Sequence, residues 1–299
     1  MERKKILTTI LVVLILLLLV GFIYWRNVNK VSEKDDKNIE IVTSFYPMYV
    51  IAENITEGAN NIELVNMADV NVGCLHDYTL TTSDMKKIES ADIFVINGLE
   101  MESFLDKVIE ARNDLIVVDS SKNMNNIILN GDGINPHIWT DLNNYILQIE
   151  NISNALQEFD LNNAEIYKEN TSKYIGKIKS LQEEYSEELE SLNDKKAICL
   201  NEAFEYLGQD LGINMTSIRT DHEESSMSAE MLKNLIDKAN NEQIDMIIID
   251  KNDNKSNAQT IANETGAKIY ELNSGLTGDL DKDAFINQMK ENYEILLND

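Results

Sequence analysis

Three histidines, two cysteines and two prolines are all that the 299 residues hold of those types. The two cysteines, Cys74 and Cys199, cannot build a disulfide framework, and neither stands in a C-x-x-C pair. A zinc ribbon and a thioredoxin-type motif are therefore excluded. No G-x-x-x-x-G-K-[ST] run occurs, so the chain lacks a phosphate-binding loop. No G-x-S-x-G run occurs either, which removes the nucleophile elbow of the hydrolases. Basic residues are in the minority, 26 Lys and Arg against 52 Asp and Glu, for a formal charge of −26. That balance argues against nucleic-acid binding, which needs a basic face to displace counterions. It suits a cationic partner, or a well-solvated surface. Hydrophobic residues make up 43%, which excludes a disordered acidic chain.

The longest apolar stretch decides the compartment. Ile6 to Trp25 is a run of 20 residues without a charge. At about 1.5 Å per residue it spans a hydrocarbon core of about 30 Å. Arg3, Lys4 and Lys5 precede it, which keeps the N-terminus cytoplasmic and sends the rest of the chain outside. The run ends in aromatics, with no small-residue cleavage site and no cysteine for lipidation after it. Residues 1–30 thus read as an uncleaved transmembrane anchor, with a cytoplasmic tip at 1–5 and the span at 6–25, the alternative being cleavage at an unrecognised site; either way the bulk of the chain is extracytoplasmic. Residues 31–38 read as a polar tether. Residues 1–30 carry five basic side chains and one acid, which leaves a charge of −30 on residues 31–299.

Beyond the tether the pattern divides into two similar halves around a helical middle. Apolar runs at 39–44, 61–65, 91–97 and 114–119 read as strands, separated by helical patterns at 48–57, 83–90 and 101–112. Strands at 196–200, 216–219, 244–250 and 267–272 repeat the theme, with helices at 204–211, 228–240, 257–265 and 283–297. Alternation at this spacing implies parallel sheets flanked by helices. The fold class expected is α/β: two lobes, each with a four-stranded parallel sheet, at 39–140 and 195–299, joined by linking helices at 141–194. There Tyr167, Tyr174, Ile178, Leu181, Tyr185, Leu189 and Leu192 keep one helical stripe. A stripe of that length braces both lobes or pairs with a coiled-coil partner.

The histidines fall in loops between strand and helix, where sheets of this class place ligands. His76 lies in Gly73-Cys74-Leu75-His76-Asp77-Tyr78, and His137 in Asn135-Pro136-His137-Ile138-Trp139. His222 follows the short strand at 216–219. An isolated histidine is more often ordinary than a ligand, and His222, followed by Glu223 and Glu224, also reads as a solvated loop residue.

The exported part resembles the substrate-binding proteins of zinc/manganese-type ABC importers, over roughly residues 40–297. The segments that carry the resemblance are Thr43-Ser44-Phe45-Tyr46-Pro47-Met48-Tyr49, Cys74-Leu75-His76-Asp77-Tyr78, Asn97-Gly98-Leu99-Glu100, Asn135-Pro136-His137-Ile138-Trp139, Glu202-Ala203-Phe204-Glu205-Tyr206-Leu207, Ile247-Ile248-Ile249-Asp250 and Leu272-Asn273. Each is weak alone, and together in this order they are specific. The resemblance implies a metal held between two lobes, with His76 and His137 as ligands from the first. Neutral imidazole suits Zn²⁺ and, with carboxylate oxygen, Mn²⁺. It further implies a permease partner in the membrane with a separate ATPase subunit, no enzymatic activity, and a monomer.

The second lobe departs from the family's pattern. Where the family usually has His or Glu this chain has Asn201, and Asn273 replaces an Asp. Either the amides bind weakly or yield to water, or a neighbour substitutes (His222 first, then Glu202, Asp250 or Cys199), or tight binding has been lost. Asp250 also reads as a strand-end carboxylate capping its own loop. Cys74 and Cys199 would approach across such a site, as a disulfide, as thiolate ligands, or as two unpaired small hydrophobes. The expectation is a membrane-anchored, extracytoplasmic metal receptor, zinc ahead of manganese. The alternative is a divergent surface adhesion or interaction protein with a weak or lost metal site.

Overall fold

A computed structural model describes residues 38–75, 78–130, 133–217 and 227–298. The expected anchor, nearly all of the tether, His76 and His222 lie outside the described residues. No described helix is long and apolar enough to cross a membrane.

Two four-stranded parallel sheets form the frame. In the first, β1 (Ile39–Thr43), β2 (Ile62–Asn66), β3 (Ile93–Ile96) and β4 (Ile116–Asp119) lie in the order β2-β1-β3-β4. A two-stranded antiparallel pair follows, β5 (Leu129–Asn130) with β6 (Gly133–Ile134), which the sequence pattern does not announce. In the second sheet β7 (Lys196–Cys199), β8 (Asn214–Ser217), β9 (Met246–Asp250) and β10 (Lys268–Leu272) lie in the order β8-β7-β9-β10. Counted within each lobe, both sheets have the strand order 2-1-3-4, so the chain repeats its topology as well as its pattern. In each lobe the order reverses between the first and third strands, and such a switch point is where open parallel sheets place ligands.

The inner strands are apolar because helices cover both faces. All five residues of β9 are buried, whereas the edge strand β8 is half-exposed. That strand starts at Asn214, earlier than its apolar run suggests, because its register pairs Asn214 with Lys196 and Ser217 with Cys199.

Some of the helices begin where a side chain satisfies their first N–H groups. Helix α1 (Tyr46–Thr56) follows β1, with Pro47 in its first turn. Helix α2 (Thr82–Ser90) opens on a reciprocal capping box between Thr81 and Asp84. The expected helix at 101–112 shrinks to a 3₁₀ turn, Ser103–Leu105, and the short α3 (Asp106–Glu110). The cause lies just upstream, where Gly98, Leu99 and Glu100 all take positive φ and turn Glu102 into the interior.

Helix α4 (Leu142–Phe159) is capped by Asp141, and α5 (Ala164–Leu189) runs 26 residues, about 39 Å at 1.5 Å per residue. The α5 stripe is satisfied within the molecule, with Tyr167, Tyr174, Ile178, Leu181 and Tyr185 buried. It packs on α4, on α1 of the first lobe, and on the last helix of the chain. In the second lobe α6 (Glu205–Asp210), α7 (Ala229–Glu242) and α8 (Ser256–Thr265) connect the strands, and α9 (Ala284–Leu297) ends the chain. Phe285 of α9 stacks on Tyr145 of α4 at 4.0 Å, and the Tyr145 hydroxyl meets that of Tyr174 at 3.0 Å. The two lobes thus share one buried core, and residues 39–299 cluster as one unit.

Candidate metal centre

His137 is 2% exposed, in the loop between β6 and α4. That loop is clamped by the second lobe. Asn135 donates from Nδ2 to the Glu202 carbonyl at 2.9 Å and to Glu205 Oε2 at 2.7 Å. The Asn135 carbonyl accepts from the Tyr206 hydroxyl at 2.8 Å, and Thr140 Oγ1 donates to the Ala203 carbonyl at 2.8 Å. Trp139 donates from Nε1 to the Ser274 carbonyl at 2.8 Å, and its ring lies beside His137 at 5.2 Å between centroids. The loop bearing His137 therefore touches two second-lobe segments that contain candidate ligands, 201–205 and 273–274.

This clamp also fixes the imidazole. With its NH₂ committed to two second-lobe oxygens, Asn135 turns Oδ1 toward His137, where it accepts from the backbone N–H at 3.0 Å and meets Nδ1 at 2.9 Å. An amide oxygen can only accept, so Nδ1 carries the proton and Nε2 holds the lone pair. Orienting a histidine through its other ring nitrogen is how proteins prepare one for a metal. Nε2 lies 3.5 Å from Cys74 Sγ, in the loop after β2.

A second network holds the same loop from the first lobe. Asn97, at the end of β3, donates from Nδ2 to the Pro136 carbonyl at 2.9 Å. Its Oδ1 accepts from Gln148 of α4 at 3.0 Å, and Gln148 also donates to Ser120 at 2.8 Å. Glu102 underlies this network, accepting from the N–H groups of Asn97 and Gly98 at 2.8 and 3.1 Å and from Ser44 Oγ at 2.7 Å. Burial pushes the Glu102 carboxyl up to about 7, against the pull of those three donors.

The second-lobe candidates are differently engaged. Asn201 caps the 3₁₀ turn Glu202–Phe204, with Oδ1 accepting from the Ala203 N–H at 3.0 Å and Nδ2 donating to Asp253 at 2.9 Å. Glu202 begins that turn and is half-buried. Asp250 is buried at the end of β9, where one oxygen accepts from the Asn252 N–H at 2.7 Å and the other from Ser274 N–H at 3.0 Å. That is the loop-capping arrangement. Asn273 accepts from the Gly275 N–H at 3.0 Å through Oδ1, while its buried Nδ2 has no partner. Neither Cys74 nor Cys199 is in a disulfide. Cys199 is fully buried and donates to the Asn201 carbonyl at 3.0 Å. No group of three or more His, Cys, Asp or Glu side chains is assembled for a metal among the described residues. The sequence reading missed the roles of Asn135 and Glu205, although the Asn two residues before a loop histidine is a signal that could have been read.

The family described as zinc-uptake complex component A, periplasmic (ZnuA), matches residues 41–298. The chain belongs to this family. As a ZnuA-family member it sits among metal-uptake receptors rather than enzymes. It is 27% identical over 273 residues to the manganese-binding lipoprotein MntA of Halalkalibacterium halodurans, covering 88% of this chain and 89% of that one. It is 27% identical over 285 residues to the high-affinity zinc uptake system protein ZnuA of Bacillus subtilis, covering 88% of each. Its fold matches that of FpvC from Pseudomonas aeruginosa in complex with Mn²⁺, with a TM-score of 0.78, 22% identity, and coverage of 87% and 97%. Family and fold thus agree with the resemblance read from the histidine loops, and the relatives' names divide between zinc and manganese.

Proposed function

We propose that this ZnuA-family chain is an extracytoplasmic receptor, held to the cell membrane by its N-terminal segment, that captures a divalent metal between its lobes. It passes the metal to the permease of an ABC importer whose ATPase is a separate subunit. The cargo is zinc ahead of manganese, and the chain acts as a monomer. The observation that carries this reading is the preparation of His137, buried where the lobes meet, with its proton held on Nδ1 and its Nε2 lone pair turned to the loop that contains His76. His76 joins it as the other first-lobe ligand, with His222 as the first second-lobe candidate, ahead of Asn201, Glu202, Asp250 and Asn273. The lipoprotein name of a relative supports attachment to a membrane. A charge of −30 beyond the anchor raises the local cation concentration, within a screening length of about 8 Å.

The test is a competition titration of the metal-stripped full chain with Zn²⁺ and Mn²⁺, beside a His76→Ala/His137→Ala double variant. Tight one-to-one binding that the variant loses is the expected result. Weak, multi-site binding unchanged in the variant would mean that the acidic surface merely collects cations, and the surface-interaction reading would replace this one.

A further inference from the structure

The family relationship leaves Cys74 without a role, yet its sulfur is the ligand-type atom that meets the lone pair of His137. We propose that the Cys74 thiolate is itself a metal ligand beside His137 Nε2, and that it tilts the site toward zinc over manganese. This deepens the receptor reading and rests on it.

The geometry is quantitative. A tetrahedral zinc with Zn–S of about 2.3 Å and Zn–N of about 2.05 Å places its sulfur and nitrogen about 3.6 Å apart. Cys74 Sγ and His137 Nε2 stand 3.5 Å apart. They come from different loops, after β2 and after β6, so no local turn imposes the spacing. The nitrogen faces the sulfur as an acceptor because Asn135 occupies Nδ1, and Asn135 is oriented in turn by Glu202 and Glu205. The tautomer is thus set independently of the cysteine.

Charge gives a second argument. The amides standing at the family's second-lobe ligand positions are neutral, and their oxygens are already accepting backbone N–H groups. Asn201 spends both ends of its amide, and Asn273 spends its oxygen on Gly275. The Asp250 oxygens each accept a backbone N–H. A dication held by imidazole and amide alone would carry its charge into a buried place uncompensated, which is costly. A thiolate supplies one negative charge at the metal. As the sulfur–metal bond forms, the thiol proton passes to solvent, so metal is exchanged for a proton.

Of the two sulfurs only Cys74 is so placed. Cys199 is fully buried, its hydrogen goes to a backbone carbonyl, and burial pushes its thiol up to about 12. Softer thiolate favours zinc over manganese, which prefers carboxylate, carbonyl and water.

The experiment loads the metal-stripped full chain with Co²⁺ for its optical spectrum and with Zn²⁺ for X-ray absorption, in the wild type, Cys74→Ser and Cys199→Ser. Competition titrations with Zn²⁺ and Mn²⁺ accompany them. Expected are a sulfur-to-cobalt charge-transfer band and a sulfur scatterer at about 2.3 Å from zinc in the wild type and Cys199→Ser, both absent from Cys74→Ser. Zinc affinity should fall more than about tenfold in Cys74→Ser, and manganese affinity by less. Cobalt and zinc bound through nitrogen and oxygen alone would overturn the ligand role and leave the receptor standing. So would a sulfur signal that Cys199→Ser removes. A wild type that binds none of these metals would overturn both. The wild-type scatterer and the Cys199→Ser spectrum decide the matter even if Cys74→Ser does not fold.

Discussion

Replacing Glu102 by glutamine should raise the stability of the variant relative to the wild type as the pH rises from about 5 to about 8. The carboxyl is buried and its folded-state pKa is pushed from 4.5 up to about 7. Between those values the folded chain binds a proton that the unfolded chain releases. A rise in pH through this window therefore favours unfolding, and the wild type loses stability until the group is ionised in both states. Folded and unfolded values of about 7 and 4.5 give a loss of about 2.5 kcal/mol between pH 5 and 8, at 1.36 kcal/mol per unit. Glutamine cannot titrate, so the stability of the variant minus that of the wild type should climb by about this amount over the window. Other buried carboxyls, such as Asp141, shift upward too but are common to both chains and cancel in the difference. Urea unfolding at closely spaced pH values measures the effect, starting above the isoelectric point of about 4.4 to avoid precipitation. A flat difference would refute the reasoning. A difference that falls with pH would show that the donors on Asn97, Gly98 and Ser44 outweigh burial.

Asn273→Asp should tighten zinc binding by about tenfold or more, since it places a carboxylate oxygen where a buried amide nitrogen now has no partner, and about 1.4 kcal/mol is enough for tenfold. Calorimetric titration checks it, and unchanged affinity would remove Asn273 from the site. Gly98→Ala should destabilise the chain by about 2 kcal/mol or more, because the residue stands at φ +85° and a Cβ would lie 2.1 Å from Asp119 Oδ1. A melting temperature equal to that of the wild type would contradict this.

The halves were legible because most strands of the two parallel sheets are short apolar runs between helical patterns, and such runs have few other fates in a chain of this composition. The helical stripe from Tyr167 was equally plain, since burial on one face imposes a period of 3.6 whatever the partner. Less legible was the short α3, because Gly98, Leu99 and Glu100 adopt positive φ to turn Glu102 inward, and only the polar groups waiting in the interior explain that choice. The early start of β8 followed from its register with β7, a pairing between distant residues.

The candidate metal ligands divide in the same way. The sequence by itself determined a two-lobed parallel α/β chain with His137 in a loop between strand and helix, because residue type and spacing are local properties. Tertiary structure alone decided which nitrogen of His137 carries the proton, since that depends on an amide held by two oxygens some 70 residues away. It also decided between the cysteines. Residue type does not separate them, but Cys199, at the end of β7, is sealed beneath a carbonyl while Cys74, in the loop after β2, faces an imidazole. Hydrogen bonds and burial across lobes are sums over neighbours distant in the chain, and only folding brings those neighbours together.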